Sequence, residues 1–400
     1  MVAESLLRHR EAEPESGPPQ GSSGRRAGNR KALSRTPDLP THKPLHSEAR
    51  RAGLRWACDD VAGITREVTP QGFRYRGPDG RRIRASATLQ RIRKLAIPPA
   101  WVDVWISPHE DSHLQATGRD ARGRKQYRYH VNWMAARGQT KFDSLLNFGA
   151  VLPSLRRRVQ RTLAGAESPT RERVLVALVR LLDSTGMRIG NEAYARANGS
   201  YGLSTLRNRH ARVEGDDLKL SFVGKSGIRH SVRISDRRVA RIVRRCRELP
   251  GQTLFSYLDD EGVSHALGSA DVNEWLAEAA GQRITAKDFR TWHGSVLALQ
   301  LTLQACADEA GECRHQEVLQ GVAKHLGNTA AVCRKAYIHP RVLELGRALA
   351  DEADRSALRC QDWARVPAAR DGLSVAERQL LALLRSGASH KPAGGKAEGG

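Results

Sequence analysis

Tyr337 lies among cationic side chains near the end of the segment His325-Leu-Gly-Asn328-Thr-Ala-Ala-Val-Cys-Arg-Lys-Ala-Tyr337-Ile-His-Pro340. The ordinary pKa of a phenol is about 10, so a tyrosine attacks phosphorus well only where cations stabilise the phenolate. In-line displacement at a phosphodiester also needs donors for two non-bridging oxygens and an acid for the departing oxygen. Taken alone, Tyr337 could equally be an amphipathic surface residue beside two basic neighbours.

Arg188 is a candidate phosphate ligand, because a guanidinium offers planar, bidentate donors that suit a phosphate. It lies in Ser184-Thr-Gly-Met-Arg-Ile-Gly-Asn-Glu192, where Gly186 and Gly190 would let a ligand approach the backbone. The structural alternative is an ion pair with Glu192, four residues further along a helix.

Arg290 is a second candidate, in the segment Lys287-Asp-Phe-Arg290-Thr-Trp-His293. Lys287 and Arg290 are three residues apart and would share one helical face, next to the apolar Trp292. The alternative for Arg290 is a surface ion pair with Asp288.

Lys225 lies at the tip of a predicted β-hairpin. The stretch Leu218-Lys-Leu-Ser-Phe-Val-Gly-Lys-Ser-Gly-Ile-Arg-His-Ser-Val-Arg-Ile234 has two alternating arms around Gly224-Lys225-Ser226-Gly227. A hairpin could carry the ammonium into a groove where it donates a proton, although a lysine at a hairpin tip is more often a solvated turn residue.

Together, Arg188, Lys225, Arg290, Asn328 and Tyr337 supply every role that transfer of a nucleic-acid strand needs. The sequence has no Walker-type phosphate loop and no convincing carboxylate cluster for Mg²⁺, so we predict no cofactor and no metal, with arginines in the role that metals fill elsewhere.

The elements around these residues predict an α+β protein of two domains. Residues 51–146 form a small β-rich domain, with hairpins in Gly63-Ile-Thr-Arg-Glu-Val-Thr-Pro-Gln-Gly-Phe-Arg-Tyr-Arg-Gly-Pro-Asp-Gly80. Residues 147–385 form a mainly helical domain with one small β element, and Val174 to Leu182 carry its first apolar helical stripe. Residues 1–50 and 386–400 are predicted to be disordered, because they have few bulky apolar side chains.

The charge of the chain favours a polyanionic partner. It has 66 Lys and Arg against 43 Asp and Glu, a net charge of +23, and most of that excess lies between the two predicted tails. No run approaches the roughly 18 apolar residues of a membrane span, and the six cysteines form no CxxC pair. We therefore expect a cytoplasmic, nucleoid-associated protein with reduced thiols.

The order and local wording of these motifs resemble the type IB DNA topoisomerases, in the compact poxvirus-like and bacterial branch. The likeness covers roughly residues 55–345. It implies the fold that this family shares with the tyrosine recombinases, and it implies a small N-terminal domain that covers one face of the DNA while the catalytic domain covers the other.

The resemblance also implies a role for each candidate. Arg188 and Arg290 would be phosphate clamps, Lys225 the general acid, and Tyr337 the nucleophile. Viral and eukaryotic members have a histidine where this chain has Asn328, as the bacterial branch does; an amide still donates one hydrogen bond but carries no proton. His325 is not the matching position.

A basic segment of the N-terminal domain resembles the part that such enzymes press into a DNA groove. In Thr117-Gly-Arg-Asp-Ala-Arg-Gly-Arg-Lys-Gln-Tyr-Arg-Tyr129 the cations offer phosphate contacts, the tyrosines add phenol donors, and the glutamine could read a base edge. The predicted DNA-binding residues are Arg119, Arg122, Arg124, Lys125, Gln126, Tyr127, Arg128 and Tyr129. A solvated charge run is the alternative.

The sequence thus predicts a monomeric enzyme that relaxes duplex DNA through a 3′-phosphotyrosyl intermediate, without ATP or metal. Two alternatives remain. A tyrosine recombinase would share the chemistry, but it usually has H-x-x-R where this chain has Lys287-x-x-Arg290, and its N-terminal domain is typically helical. A non-catalytic DNA-architectural protein would fit the charge, but not the complete set of catalytic residue types.

Overall fold

The computed structural model describes residues 42–165, 168–305, 315–349, 366 and 372–388. The chain divides between Asp143 and Ser144 into two compact units. This division lies inside a single helix, α3 (Val131–Ala164), close to the predicted change of domain at residues 146 and 147. In the part of the chain that is described, no helix combines the length and apolarity needed to cross a membrane.

The N-terminal unit is built on a five-stranded antiparallel sheet in the order β2-β1-β3-β4-β5. Its elements are α1 (His42–Arg51), β1 (Ile64–Thr69), β2 (Gly72–Arg76), α2 (Ser86–Lys94), β3 (Val102–Ile106), β4 (Leu114–Arg119) and β5 (Lys125–Tyr129). Of the predicted hairpins, the one around Pro70-Gln71 is confirmed, because Thr69 pairs with Gly72 across that turn. Ile64, Ile92 and Ile106 belong to the small apolar core of the sheet and α2.

Helix α1 corrects the prediction that residues 1–50 are disordered, for the last nine of those residues. Ala49 is fully buried in a cluster with Leu54 and Trp133, and the ring of His46 stacks on Trp56 with centroids 4.6 Å apart. The composition of the segment gave no sign of this helix, because the large partners of its small residues come later in the chain. Residues 1–41 lie outside the described residues.

The C-terminal unit is mainly helical, as predicted. After α3 come α4 (Arg171–Thr185), α5 (Glu192–Asn198), α6 (Arg237–Glu248), α7 (Ser269–Ala280), α8 (Ala286–Ala305), α9 (His315–Leu326), α10 (Ala330–Ala336), α11 (Pro340–Ala348) and α12 (Val375–Ala388). Helix α12 continues three residues into the segment 386–400 that was predicted to be disordered, and residues 389–400 lie outside the described residues.

Two small sheets interrupt these helices. The predicted hairpin is confirmed as β7 (Asp217–Val223) and β8 (Arg229–Ser235). A further strand, β6 (Ala211–Glu214), pairs with the other edge of β7. A two-stranded sheet of β9 (Ser256–Leu258) and β10 (Ser264–Ala266) was not predicted, because three-residue strands leave too short an alternation to recognise.

Helix α4 is the centre of the C-terminal unit, and it positions the first candidate residue. Its apolar stripe, which includes Leu175, Leu178 and Leu182, is almost completely buried. Burial of each such leucine stabilises the unit by about 1.5–3 kcal/mol. The helix ends at Gly186, whose left-handed backbone (φ 60°) turns the chain directly into Arg188.

Candidate active site

The turn after α4 holds Arg188 by its backbone. The Arg188 carbonyl accepts a hydrogen bond from the Leu203 amide (2.9 Å), and the Ile189 carbonyl accepts one from the Ser204 amide (2.6 Å). Gly190 has φ 103°, and a side chain there would start 2.8 Å from the Thr205 hydroxyl. The glycine is therefore required by close packing as well as by its backbone conformation.

The Arg188 side chain binds neutral groups of a distant segment. Its Nη1 donates to the Gly327 carbonyl (3.3 Å), and its Nη2 donates to Oδ1 of Asn328. Glu192 pairs instead with Arg196, at 3.2 Å. The ion pair considered from the sequence for Arg188 is therefore not formed.

Arg290 lies on the first turns of α8 and is buried, with 4% of its surface exposed. Its Nη1 donates to the Gly186 carbonyl and its Nη2 to the Leu326 carbonyl (2.8 Å), while its carbon Cζ lies 4.9 Å from the centroid of the Tyr337 ring. Burial lowers the pKa of Arg290 to about 10, and repulsion by Arg188 acts in the same direction. The side chain thus stays charged at neutral pH. The alternative pairing with Asp288 is also not formed, because that carboxylate caps α8 by accepting from the Thr285 amide (2.8 Å).

Tyr337 ends α10, which is capped by the Thr329 hydroxyl. The Tyr337 amide donates to the Cys333 carbonyl (2.9 Å), and the Tyr337 carbonyl accepts from the Ser295 hydroxyl (3.3 Å). A side chain at Gly294 would start 2.5 Å from that carbonyl, so α8 and the Tyr337 backbone are in close contact. Helix α8 therefore carries both Arg290 and the support for the tyrosine.

Lys225 lies at the tip of the β7–β8 hairpin, as predicted. The turn is closed by a hydrogen bond from the Gly224 amide to the Ile228 carbonyl (2.7 Å). Ser226 adopts a left-handed conformation (φ 64°), which is uncommon for a residue other than glycine. The hairpin tip is therefore a defined turn.

One pocket of about 400 Å³ brings four of the five candidates together. Arg188, Lys225, Arg290 and Tyr337 all line it. Asn328 does not line the pocket, but its Oδ1 accepts from Arg188, and its Nδ2 is buried with no hydrogen-bond partner among the described residues. An orphaned donor of this kind is costly unless a ligand satisfies it.

Several pocket residues were not singled out from the sequence. These are Ile189, Asn191, Tyr194, Ser200, Tyr201 and Ala286. The first three lie within six residues of Arg188, so that proximity was a usable signal. The position of Tyr201 depends on a backbone hydrogen bond from its amide to the Val223 carbonyl (2.8 Å), which no spacing in the sequence reveals.

The predicted DNA-binding residues lie on β5, at the end of β4 and in the turn that joins these two strands. Lys125, Tyr127 and Tyr129 are exposed on one face of β5, with the two tyrosine rings stacked 5.9 Å apart. Arg122 and Arg124 are exposed in or beside the turn, where Asp120 accepts from both of their backbone amides (3.0 Å each). Side-chain hydrogen bonds from Arg124 hold the pKa of Asp120 well below its usual range, at about 2.

Gln126 and Arg128 belong to the opposite face of β5 and are half-buried. The Gln126 amide donates to the Asp120 carboxylate (2.9 Å), and the Arg128 guanidinium donates to the Ala96 carbonyl (2.9 Å) and lies 5.8 Å from the Trp101 ring. Arg119, at the end of β4, pairs with Asp103 (3.7 Å). The eight residues therefore do not form a single surface.

Within the described ranges, no group of three or more His, Cys, Asp or Glu side chains is arranged to hold a metal ion.

Comparison with known families matches most of the described chain. Residues 130–358 match the model of the eukaryotic DNA topoisomerase I catalytic core, and residues 72–120 match the model of the bacterial DNA topoisomerase IB N-terminal domain.

Individual relatives agree with the family models. The chain is 31% identical over 295 residues to DNA topoisomerase 1B of Acanthamoeba polyphaga mimivirus, covering 71% of this chain and 88% of the viral protein. It is 23% identical over 242 residues to DNA topoisomerase 1B of Vaccinia virus (strain Western Reserve), covering 58% of this chain and 73% of that protein. It is 26% identical over 226 residues to DNA topoisomerase 1 of Mycosarcoma maydis, which covers 22% of the fungal protein.

The chain belongs to the type IB DNA topoisomerase family. It is an isomerase that relaxes DNA, and the prediction made from the sequence motifs is confirmed at this level.

Proposed function

We propose that this topoisomerase relaxes supercoiled duplex DNA by cutting and resealing one strand through Tyr337. The Tyr337 oxygen attacks a backbone phosphorus, the bond from phosphorus to the 5′ oxygen breaks, and a 3′-phosphotyrosine forms. The free 5′ end turns about the intact strand. Its hydroxyl then attacks the phosphotyrosine, which reseals the DNA and frees the tyrosine.

In this mechanism Arg188, Arg290 and Asn328 stabilise the charge that builds on the two non-bridging oxygens. Lys225 donates a proton to the departing 5′ oxygen. The observation that carries the proposal is the shared pocket of Arg188, Lys225, Arg290 and Tyr337, with the Arg290 guanidinium 4.9 Å from the Tyr337 ring.

The covalent intermediate conserves the energy of the phosphodiester bond, so the reaction needs no ATP. Guanidinium groups in a buried site also supply the positive charge that a metal supplies in other phosphoryl-transfer enzymes. We therefore propose that neither a nucleotide nor a metal is a cofactor.

The β5 strand and the turn before it are proposed to contact the DNA. The exposed Lys125 and the exposed phenols of Tyr127 and Tyr129 suit phosphate and sugar contacts. Gln126 would read a base edge only if it exchanged its hydrogen bond with Asp120 for one to the base. We further propose that the C-terminal unit has the tyrosine recombinase type of fold and that the enzyme acts as a monomer on nucleoid DNA.

Plasmid relaxation in EDTA, without ATP, tests the proposal when it is combined with an assay for the covalent adduct. The wild-type enzyme should relax supercoils of both signs and form an adduct at the 3′ side of the break. Tyr337→Phe should bind DNA but do neither. Tyr257→Phe, a matched change on β9 away from the pocket, should behave as wild type. Relaxation by Tyr337→Phe would show that the nucleophile is another residue.

A further inference from the structure

Glu377 lies on the first turn of α12, beyond the residues that match the catalytic-core model. Its backbone amide donates to the Ser374 hydroxyl (3.3 Å), and its Oε2 accepts from the Ser374 amide (2.8 Å). These two bonds form a capping box, a common device that starts a helix. A capping glutamate normally faces solvent, whereas Glu377 is only 8% exposed, so capping does not account for its position.

The buried carboxylate of Glu377 shares one guanidinium with a second acid. Arg156 of α3 donates to both oxygens of Asp183 at 2.8 Å, and to the two oxygens of Glu377 at 2.7 and 3.0 Å. These bonds hold the pKa of Glu377 at about 2, although burial acts in the opposite direction. The cluster therefore fixes α12 to α3 and to the last turn of α4.

The same carboxylate reaches α8, the helix that carries Arg290. The Trp292 indole donates to Oε1 of Glu377 (2.9 Å). The Trp292 ring and the Leu381 side chain also both pack against Gly149 of α3, since a side chain at Gly149 would start 2.5 Å from that ring and 2.6 Å from the leucine. Trp292 is therefore held by both a hydrogen bond and close packing.

The cluster of Arg156, Asp183 and Glu377 is connected to both pocket arginines through hydrogen bonds between the start of α8 and the end of α4. His293 hydrogen-bonds the Asp183 carbonyl (2.7 Å), and Arg290 hydrogen-bonds the Gly186 carbonyl, so the start of α8 is joined twice to the end of α4. Arg188 follows Gly186 by two residues. A shift of Trp292 would thus move α8 relative to the turn after α4, and it would displace the guanidinium groups of Arg188 and Arg290.

We propose that Glu377 is a positioning residue for the pocket arginines, acting through Trp292 and Arg156. The helix α12 is then part of the catalytic unit. This inference rests on the proposed role of Arg290 at the scissile phosphate.

A double-mutant cycle on the rate of single-turnover DNA cleavage tests this inference. Glu377→Ala should slow cleavage by about 10- to 100-fold in the wild-type background, the loss typical of misplaced catalytic groups. In the Arg290→Ala background the same change should cost less than about threefold, because the group that Glu377 positions is already absent. Non-covalent DNA binding, measured in the Tyr337→Phe background, should be unchanged.

Two further variants separate positioning from loss of folding. Leu380→Ala removes a fully buried side chain of α12 but none of the hydrogen bonds that join Arg156, Asp183, Glu377 and Trp292, so it should lower Tm yet leave the cleavage rate within about twofold at 25 °C. Glu377→Gln keeps one side-chain oxygen, which can accept from the Trp292 indole as Oε1 does, whereas its amide nitrogen cannot accept from the Ser374 amide as Oε2 does. It should recover part of the rate that Glu377→Ala loses.

Three results would overturn the inference: an equal loss from Glu377→Ala in both backgrounds, an equal loss from Leu380→Ala, or no recovery with Glu377→Gln. The proposed function is tested separately within the same cycle. If Arg290→Ala alone cleaves at the wild-type rate, the role of Arg290 fails, whatever Glu377 does.

Discussion

The arginines of the pocket have neutral partners, whereas several cations of the β5 region, residues 119–129, have acidic partners. Arg188 and Arg290 hydrogen-bond to backbone carbonyls and to the Asn328 side-chain oxygen, and among the described residues neither has a carboxylate within ion-pairing distance. In the β5 region, by contrast, three cations pair with acids: Arg119 with Asp103, Arg124 with Asp120 and Lys125 with Asp59 (3.7, 2.7 and 2.6 Å).

The two kinds of partner suit two different uses of positive charge. Neutral partners orient the pocket arginines but leave their charge available to a phosphoryl group that becomes more negative in the transition state. In the proposed DNA interface, the cations of the β5 region would exchange a carboxylate for a phosphate when DNA binds, so each contact would yield a small net gain in binding free energy. The first arrangement suits catalysis, and the second suits reversible binding.

The largest effect is expected when a carboxylate is placed in the pocket. Asn328→Asp keeps the size of the side chain, but its charge would pair with Arg188 and repel the phosphate. We expect single-turnover cleavage to slow by more than the roughly 100- to 1000-fold found when one oxyanion donor is removed, because the added charge acts on top of the lost donor.

Asn328→Ala is the control for that change. It removes the amide donor without adding charge, and it should slow cleavage while leaving non-covalent DNA binding unchanged. An Asn328→Asp enzyme that cleaves as fast as Asn328→Ala would contradict the idea that the pocket depends on unneutralised arginines.

The buried carboxylate of Glu377 should contribute to the pH dependence of the free energy of unfolding. The folded pKa of Glu377, about 2, is below its ordinary value of 4.5, so the stabilisation is present above about pH 4.5 and is lost as the pH falls toward 2. Between pH 5 and pH 3 this amounts to about 2 kcal/mol of unfolding free energy. Denaturant titrations should therefore show a flatter acid dependence for Glu377→Gln, and parallel curves would refute this contribution.

Charge reversal in the β5 region should weaken DNA binding by about tenfold and reduce its salt dependence. The variant Arg122→Glu/Arg124→Glu/Arg128→Glu would lose up to three phosphate contacts, each worth about 0.9 in the slope of log K against log salt. Arg128→Ala alone should change the slope least, because its guanidinium already binds the Ala96 carbonyl beside Trp101. An unchanged slope in the triple variant would remove this segment from the interface.

The smallest effect should come from removing an acid of the β5 region. Asp120→Asn keeps an oxygen for the Arg122 and Arg124 amides but releases the Arg124 side chain from its ion pair. Affinity for duplex DNA should rise by about two- to fivefold at low salt, and this gain should fade as salt screens the added charge. Weaker binding at all salt concentrations would instead indicate that the pairing preorganises Arg124.

The sequence predicted those parts of the site that depend on local pattern. The apolar stripe of α4 and the alternating arms around Lys225 each leave a periodic signal. Contacts between distant segments leave none. The Arg188–Asn328 hydrogen bond spans 140 residues and the Arg156–Glu377 pair spans 221, so the neutral partners of the arginines and the buried role of α12 emerge only from the fold.

The Ser295 hydroxyl has a consequence for the fidelity of resealing. It donates to the Tyr337 carbonyl and accepts from the His339 amide (2.9 Å), so the chain is pinned on both sides of the tyrosine. A DNA strand end bonded to the Tyr337 oxygen would be attached to a fixed backbone and could move only as far as that one side chain can rotate. Its phosphorus would therefore stay close to the position of the break while the other strand end rotates.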